Sequence, residues 1–197
     1  MDEHFFETIG LDENNVICKL RKEHYLNISQ LEFDEIWKLH PEYYHTVKWY
    51  GKEVLTPRWQ QSYGKSYSYT GSRNNALPIP ERLKPFLNWS RENIDSRLNG
   101  LLLNWYDGEK GHYIGAHRDT TKDLLKDSPV VTISLGEERV FRFRPHKEKR
   151  KGKQDFLLEN GSALVIPWNT NLDWTHEVPN FKRYSKKRIS VTLRAYL

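Results

Sequence analysis

Three residues of this chain have the types and spacing to hold a metal ion: His117 and Asp119, two apart, and the distant His176. Residues two apart in an extended segment point to the same face, so one imidazole and one carboxylate can reach a single ion. A second imidazole completes a two-His, one-carboxylate set and leaves the opposite coordination positions open. Non-haem Fe(II) that activates oxygen uses such a set. His-x-Asp is also a common pairing of ordinary surface residues, so its neighbourhood decides the reading. His112 and His146 have no carboxylate at this spacing and are read as non-ligands.

A second candidate lies near the end of the chain. Along Arg188-Ile189-Ser190-Val191-Thr192-Leu193-Arg194 the types alternate strictly. The apolar set belongs to a core face, and two cations with two hydroxyls share the other. The two arginine Cα atoms would lie ~20 Å apart in a strand. With both side chains leaning inward, the gap suits a short dicarboxylate, which arginine grips in bidentate fashion. A solvent-facing edge strand with scattered charges has the same alternation, and the pattern alone leaves both readings open.

The elements that must position these groups are mostly strands. From Leu101 onward the chain reads as short strands separated by turn signals: Leu101–Tyr106, Val130–Leu135, Val140–Arg144, Phe156–Leu158, Ala163–Ile166 and Arg188–Tyr196. That spacing predicts a sandwich or jelly roll, with His176 just beyond a strand. Upstream, Ser29-Gln30-Leu31-Glu32 has the form of a capping box opening a short amphipathic helix. Phe33, Ile36, Trp37 and His40 lie on that helix, and Pro41 stops it. A second helix starts near Pro80 and carries Leu83, Phe86, Leu87, Ser90 and Ile94 on one face, with Pro85 in its first turns. The first hundred residues thus read as helices and β-ribbon packed on a β core.

Composition narrows the class. At 197 residues the chain suits one domain with a real core. Its net charge of +5 permits an anionic partner such as nucleic acid. The basic stretches Lys147–Lys153 and Lys182–Arg188 fall between strands, as solvated loops or as a phosphate-facing rim. Seven Trp and eleven Tyr exceed what a core needs and leave some for stacking. The single cysteine, Cys18, excludes an internal disulfide framework and reads as a buried packing residue. No run approaches the ~20 apolar residues of a membrane span. The acidic start Met1-Asp2-Glu3-His4 lacks the form of a signal peptide. A soluble intracellular protein is expected.

Taken in order, Asn104-Trp105-Tyr106, His117-Arg118-Asp119, Ser134-Leu135-Gly136 with Phe141-Arg142-Phe143, His176, and Arg188 to Arg194 resemble the AlkB family of Fe(II)- and 2-oxoglutarate-dependent dioxygenases. Upstream, Tyr50-Gly51-Lys52, Pro57-Arg58-Trp59-Gln60, Tyr63-Gly64 and Tyr67-Ser68-Tyr69-Thr70-Gly71 are similar to the nucleotide-recognition lid of the second and third human AlkB homologues. The resemblance implies an α+β, mainly β fold: one dioxygenase domain over residues 1–197. Residues 1–98 would supply N-terminal helices and the lid, and 99–197 a double-stranded β-helix (jelly-roll) core. It implies Fe(II) on His117, Asp119 and His176. Asn104 and Tyr106 would hydrogen-bond 2-oxoglutarate, Arg188 would grip its distal carboxylate, Arg194 would sit near the metal, and Thr192 would support the pocket.

For the substrate, the resemblance implies Tyr69 stacked on a flipped base whose other face meets His117. Tyr67 and Thr70 would line the base pocket, and Tyr50 would take the place of a finger filling the gap in the stack. The implied activity uses O2 and 2-oxoglutarate to remove methyl groups from bases such as 1-methyladenine and 3-methylcytosine, yielding succinate and formaldehyde. DNA is the expected partner and RNA the alternative. A monomer is expected, working in the nucleus of a eukaryote or the cytoplasm otherwise. Two departures bear on the substrate. Thr121 stands where relatives often carry an acidic base reader, with Asp123 two residues on, and Ser190 stands where several have Asn. An oxygenase acting on a protein or small molecule, and a non-catalytic nucleic-acid-binding module, are the competing readings.

Overall fold

The computed structural model describes residues 2–49, 51–69, 72–147 and 152–197, the side chains of 49, 68, 69 and 72 excepted. In chain order the first strands are β1 (Phe6–Gly10), β2 (Val16–Leu20), β3 (Thr46–Trp49), β4 (Lys52–Leu55), β5 (Trp59–Tyr63), β6 (Tyr67–Tyr69), β7 (Ser72–Asn74) and β8 (Ala76–Leu77). The second half adds β9 (Gly100–Asp107), β10 (Ile114–His117), β11 (Val130–Gly136), β12 (Arg139–Pro145), β13 (Gln154–Leu158), β14 (Ala163–Ile166), β15 (Trp174–Val178) and β16 (Lys187–Arg194). Among the described residues three α-helices accompany them: α1 (Gln30–Trp37), α2 (Lys84–Asn93) and α3 (Trp168–Asp173).

Two sheets enclose the site, as a jelly roll requires. The larger has eight strands in the order β1-β2-β14-β11-β16-β9-β5-β8, and the smaller four in the order β10-β15-β12-β13. The arginine strand β16 lies between β11 and β9, so the edge-strand alternative is excluded. Its Ile189, Val191 and Leu193 pack into the main core with Leu101, Leu103 and Trp105 of β9, while the polar set faces the other way. A second apolar cluster, with Phe141, Phe143, Leu164 and Trp174, fills the space beside the smaller sheet.

The first hundred residues contribute more to the sheet than expected. The β1–β2 hairpin pairs with β14, and β5 pairs with β9. Pattern reading missed these strands because Val16–Leu20 is short and because β5 carries polar residues on a buried face. Cys18 is buried in β2, as expected.

The capping box is present: the Ser29 hydroxyl accepts from Glu32 N at 3.2 Å, and Ser29 N donates to Glu32 Oε2 at 2.8 Å. The helix it opens ends at Trp37, short of His40, whose ring instead stacks on Trp59 at 4.2 Å. A single 3-10 turn, Glu81–Leu83, follows Pro80 and leads into α2, with Pro85 in its first turn where no intrahelical N–H bond is lost. No described helix is long and apolar enough to cross a membrane.

Candidate metal and cosubstrate site

Strand register brings the two histidines together. His176 lies within β15, not beyond a strand, and sits opposite His117 of β10. On its other side His176 pairs with Phe143 of β12. Directly opposed residues on adjacent antiparallel strands bring their side chains into contact, and the two imidazole centroids are 4.4 Å apart. Asp119 follows the end of β10. Its carboxylate completes a group in which one ligand atom from each residue lies within 4.8 Å of the others. His117 Nε2 is 4.0 Å from Asp119 Oδ1, too far for a hydrogen bond. Its Nδ1 is 2.9 Å from the Gly115 carbonyl. Donation there places the proton on Nδ1 and leaves the Nε2 lone pair for a metal.

Asp119 is anchored from several directions. Arg194 donates to it through Nε at 3.1 Å and through Nη2 at 2.8 and 2.9 Å, and the Tyr67 hydroxyl adds a bond at 3.2 Å. The Arg194 guanidinium also lies 4.4 Å from the Tyr67 ring centroid. Burial alone would raise the Asp119 pKa, but Arg194 and the two imidazoles bring it down to about 2. Burial lowers both histidines, with His117 acting further on His176, which falls to about 3. Near neutral pH the set is therefore two neutral imidazoles and one carboxylate, the protonation state a metal requires.

The Asp119 backbone is clamped by a residue the motif did not suggest. Asn171 of α3 accepts from Asp119 N at 3.0 Å and donates to Asp119 O at 3.1 Å. Phe141 stacks on His176 with ring centroids 5.4 Å apart.

The cosubstrate candidates form rows across the larger sheet. Gln60 of β5, Asn104 of β9, Ser190 of β16 and Ser134 of β11 are successive register partners. Two residues along lies the row Ser62, Leu102, Thr192 and Thr132. In the other direction Tyr106 faces Arg188, which faces Gly136. Arg58, Gln60, Asn104, Tyr106, Thr132, Ser190, Thr192 and Arg194 line one cavity together with His117, Asp119 and His176.

Arg188 packs against Tyr106, which lines that wall. Its guanidinium lies 5.0 Å from the Tyr106 ring centroid, and its Nε donates to Ser134 Oγ at 2.9 Å. Arg194 is engaged by Asp119, so the two arginines do not form the symmetric clamp that strand spacing allows. Thr121 lies outside the wall, in a turn where Leu124 N donates to its carbonyl at 3.2 Å. Tyr67 is buried beside Asp119. Tyr50 and Thr70, and the side chain of Tyr69, fall outside the described residues. Arg58, Gln60, Thr132 and Phe141 are wall residues that pattern reading did not assign. Arg58 and Gln60 stood out only as part of a stretch resembling the nucleotide-recognition lid, and their relation to Asn104 exists only across strands.

The buried arginines fit an anionic cosubstrate such as a dicarboxylate. Asp119 is the only buried carboxylate among the described residues, while Arg58, Arg188 and Arg194 are all buried around the site. One guanidinium nitrogen each of Arg188 and Arg194, both Nη1, and His176 Nδ1 are buried without a hydrogen-bond partner. Burial lowers Arg188 to about 10. Buried cations are costly without anions, and the carboxylates of a dianionic cosubstrate would give these guanidinium nitrogens acceptors, although metal and dianion together add no net charge.

Comparison with known proteins agrees with this geometry. A family model described as the 2OG-Fe(II) oxygenase superfamily matches residues 20–194. The DNA oxidative demethylase ALKBH2 of Homo sapiens is 32% identical over 165 residues, 77% of this chain and 61% of that protein. The alpha-ketoglutarate-dependent dioxygenase alkB homolog 3 of Homo sapiens is 30% identical over 149 residues, 70% of this chain and 51% of that protein. The chain thus spans between half and two thirds of the length of these relatives. The solved structure of OsALKBH1 superposes with a TM-score of 0.63 at 18% identity, covering 96% of this chain and 100% of that one, a likeness of fold. With the matched model, the His-Asp-His group and the jelly roll in agreement, the chain belongs to the 2OG-Fe(II) oxygenase superfamily, among its AlkB-like members, and takes Fe(II), 2-oxoglutarate and O2.

Proposed function

We propose that this protein removes alkyl groups oxidatively from nucleobases such as 1-methyladenine and 3-methylcytosine, in DNA, with RNA as the alternative. The observation that carries the reading is the register-locked His117/His176 pair with Asp119, set beside a short hairpin, β6–β7, that resembles a nucleotide-recognition lid. Similarity to a DNA oxidative demethylase supports it. When bound, Fe(II) with 2-oxoglutarate and O2 supplies the oxidation that turns an N-methyl group into a hydroxymethyl group, which leaves as formaldehyde.

This chain's own residues would do the rest. His117, Asp119 and His176 hold the metal; Asn104, Tyr106, Thr192, Arg188 and Arg194 receive the cosubstrate. Tyr69, Tyr67, Thr70 and Tyr50 would manage the base, which must leave the stack to reach the site. Base–aromatic stacking contributes roughly 1–3 kcal/mol per base. Thr121 would be a neutral neighbour rather than an acidic reader. The protein would work as a monomer, in the nucleus of a eukaryotic cell or the cytoplasm of another.

The test is a panel of DNA and RNA oligonucleotides, each bearing one methylated base, incubated with Fe(II), 2-oxoglutarate and protein and read by mass spectrometry. Loss of one methyl group with matching succinate, absent in His117→Ala, is expected. Succinate formation that no oligonucleotide stimulates would overturn the nucleic-acid reading in favour of a protein or small-molecule substrate.

A further inference from the structure

Arg58 precedes β5, is almost fully buried, and lies in the wall of the metal-site cavity. Its Nε donates to Asn104 Oδ1 at 2.7 Å, and its Nη2 donates to Gln60 Oε1 at 3.0 Å. Gln60 and Asn104 are cross-strand partners on β5 and β9, so one guanidinium spans two adjacent amides of the same row. Both amides line the cavity.

A side-chain amide can turn either end toward a neighbour, because it carries one acceptor and one double donor. Arginine removes that freedom, since a guanidinium only donates. With both amide oxygens committed to Arg58, the NH2 ends of Asn104 and Gln60 are the ends left to meet an anion. From this we infer that Arg58 is a positioning residue for the dicarboxylate cosubstrate: it fixes the Asn104 and Gln60 amides as donors toward the cavity. Without it either amide can present oxygen to a carboxylate, which repels. The inference rests on 2-oxoglutarate binding in this cavity, and not on the nature of the oxidised substrate.

Calorimetry of 2-oxoglutarate binding to Mn(II)-loaded protein, without nucleic acid, tests it. Arg58→Met is expected to weaken 2-oxoglutarate binding about tenfold to a hundredfold, the scale of a charge-assisted hydrogen bond. Mn(II) affinity should stay at the wild-type value. Arg58→Lys should recover only part, because an ammonium lacks the planar fork that spans two amides. Asn104→Asp supplies a second test that keeps the fold: aspartate pairs with Arg58 but has no N–H for the cavity, and binding should fall as much as in Arg58→Met. The Arg58→Met/Asn104→Ala double variant should bind no worse than the weaker single variant.

Wild-type affinity in Arg58→Met, or strictly additive losses in the double variant, would overturn the inference. So would undiminished binding in Asn104→Asp. Failure of the oligonucleotide panel leaves all these outcomes readable, because none uses nucleic acid.

Discussion

Asn171 offers a sharp test of how the metal site is built. Asp119 lies just past the end of β10, where no ladder bond holds its peptide, and the Asn171 side chain supplies both missing partners at 3.0 and 3.1 Å. Asn171 is itself buried. Asn171→Ala leaves one buried N–H and one buried C=O unpaired, at about 1–3 kcal/mol each, and partial relaxation brings the sum to about 2–4 kcal/mol. Against a total stability of about 5–15 kcal/mol the variant still folds, and for this chain length its Tm falls by about 4–16 °C. Removing the group that orients a ligand should also weaken metal binding about 10–100-fold.

Thr170→Val provides the control. Thr170 is the preceding residue of the same helix and donates to the Val16 carbonyl at 2.7 Å. That variant should lose about 1 kcal/mol and keep its metal affinity. The assays are urea unfolding of the metal-free protein and calorimetric titration with Mn(II). Should Asn171→Ala lose stability yet bind Mn(II) as tightly as Thr170→Val, the two hydrogen bonds would be scaffold only and the reasoning wrong.

Four other outcomes are expected. Tyr69→Ala should reduce demethylation of methylated oligonucleotides while sparing 2-oxoglutarate consumption without substrate; equal loss of both would count against a stacking role. Burial holds His117 and His176 below the ordinary value of about 6.5, and Arg194 helps hold Asp119 at about 2, so Mn(II) binding at pH 7 should displace no proton. Equal heats in two buffers of different ionisation enthalpy would show this. Because the folded imidazole pKa values lie below their unfolded ones, the metal-free protein should lose stability as pH falls through about 6.5 and below, not as it rises. Gly136→Ala should cost about 2–4 kcal/mol in urea unfolding, since φ is 85° and a Cβ would lie 2.4 Å from the Lys187 carbonyl oxygen; a change under about 0.5 kcal/mol would refute the clash.

Local chemistry was legible without coordinates. The Ser29/Glu32 cap depends on residues three apart, and the alternation of Arg188 to Arg194 depends on a two-residue period, so short-range geometry determines both. His117 and Asp119 were candidates for the same reason. His176 was likewise a candidate, as a distant second imidazole, but how distant segments pair was not legible, because strand pairing leaves no mark at a single position. The pairing of His117 with His176, the commitment of Arg194 to Asp119, the row from Gln60 through Asn104 to Ser190, and the grip of Asn171 on the Asp119 peptide all arise between elements far apart in the chain. A shift of one residue in β15 would turn His176 to the other face of its sheet while leaving the motif unchanged. Residue type and spacing thus determined which groups could serve a metal and a dicarboxylate. Only the packing of two sheets decided which of them meet, since contact depends on register and burial on what lies across it.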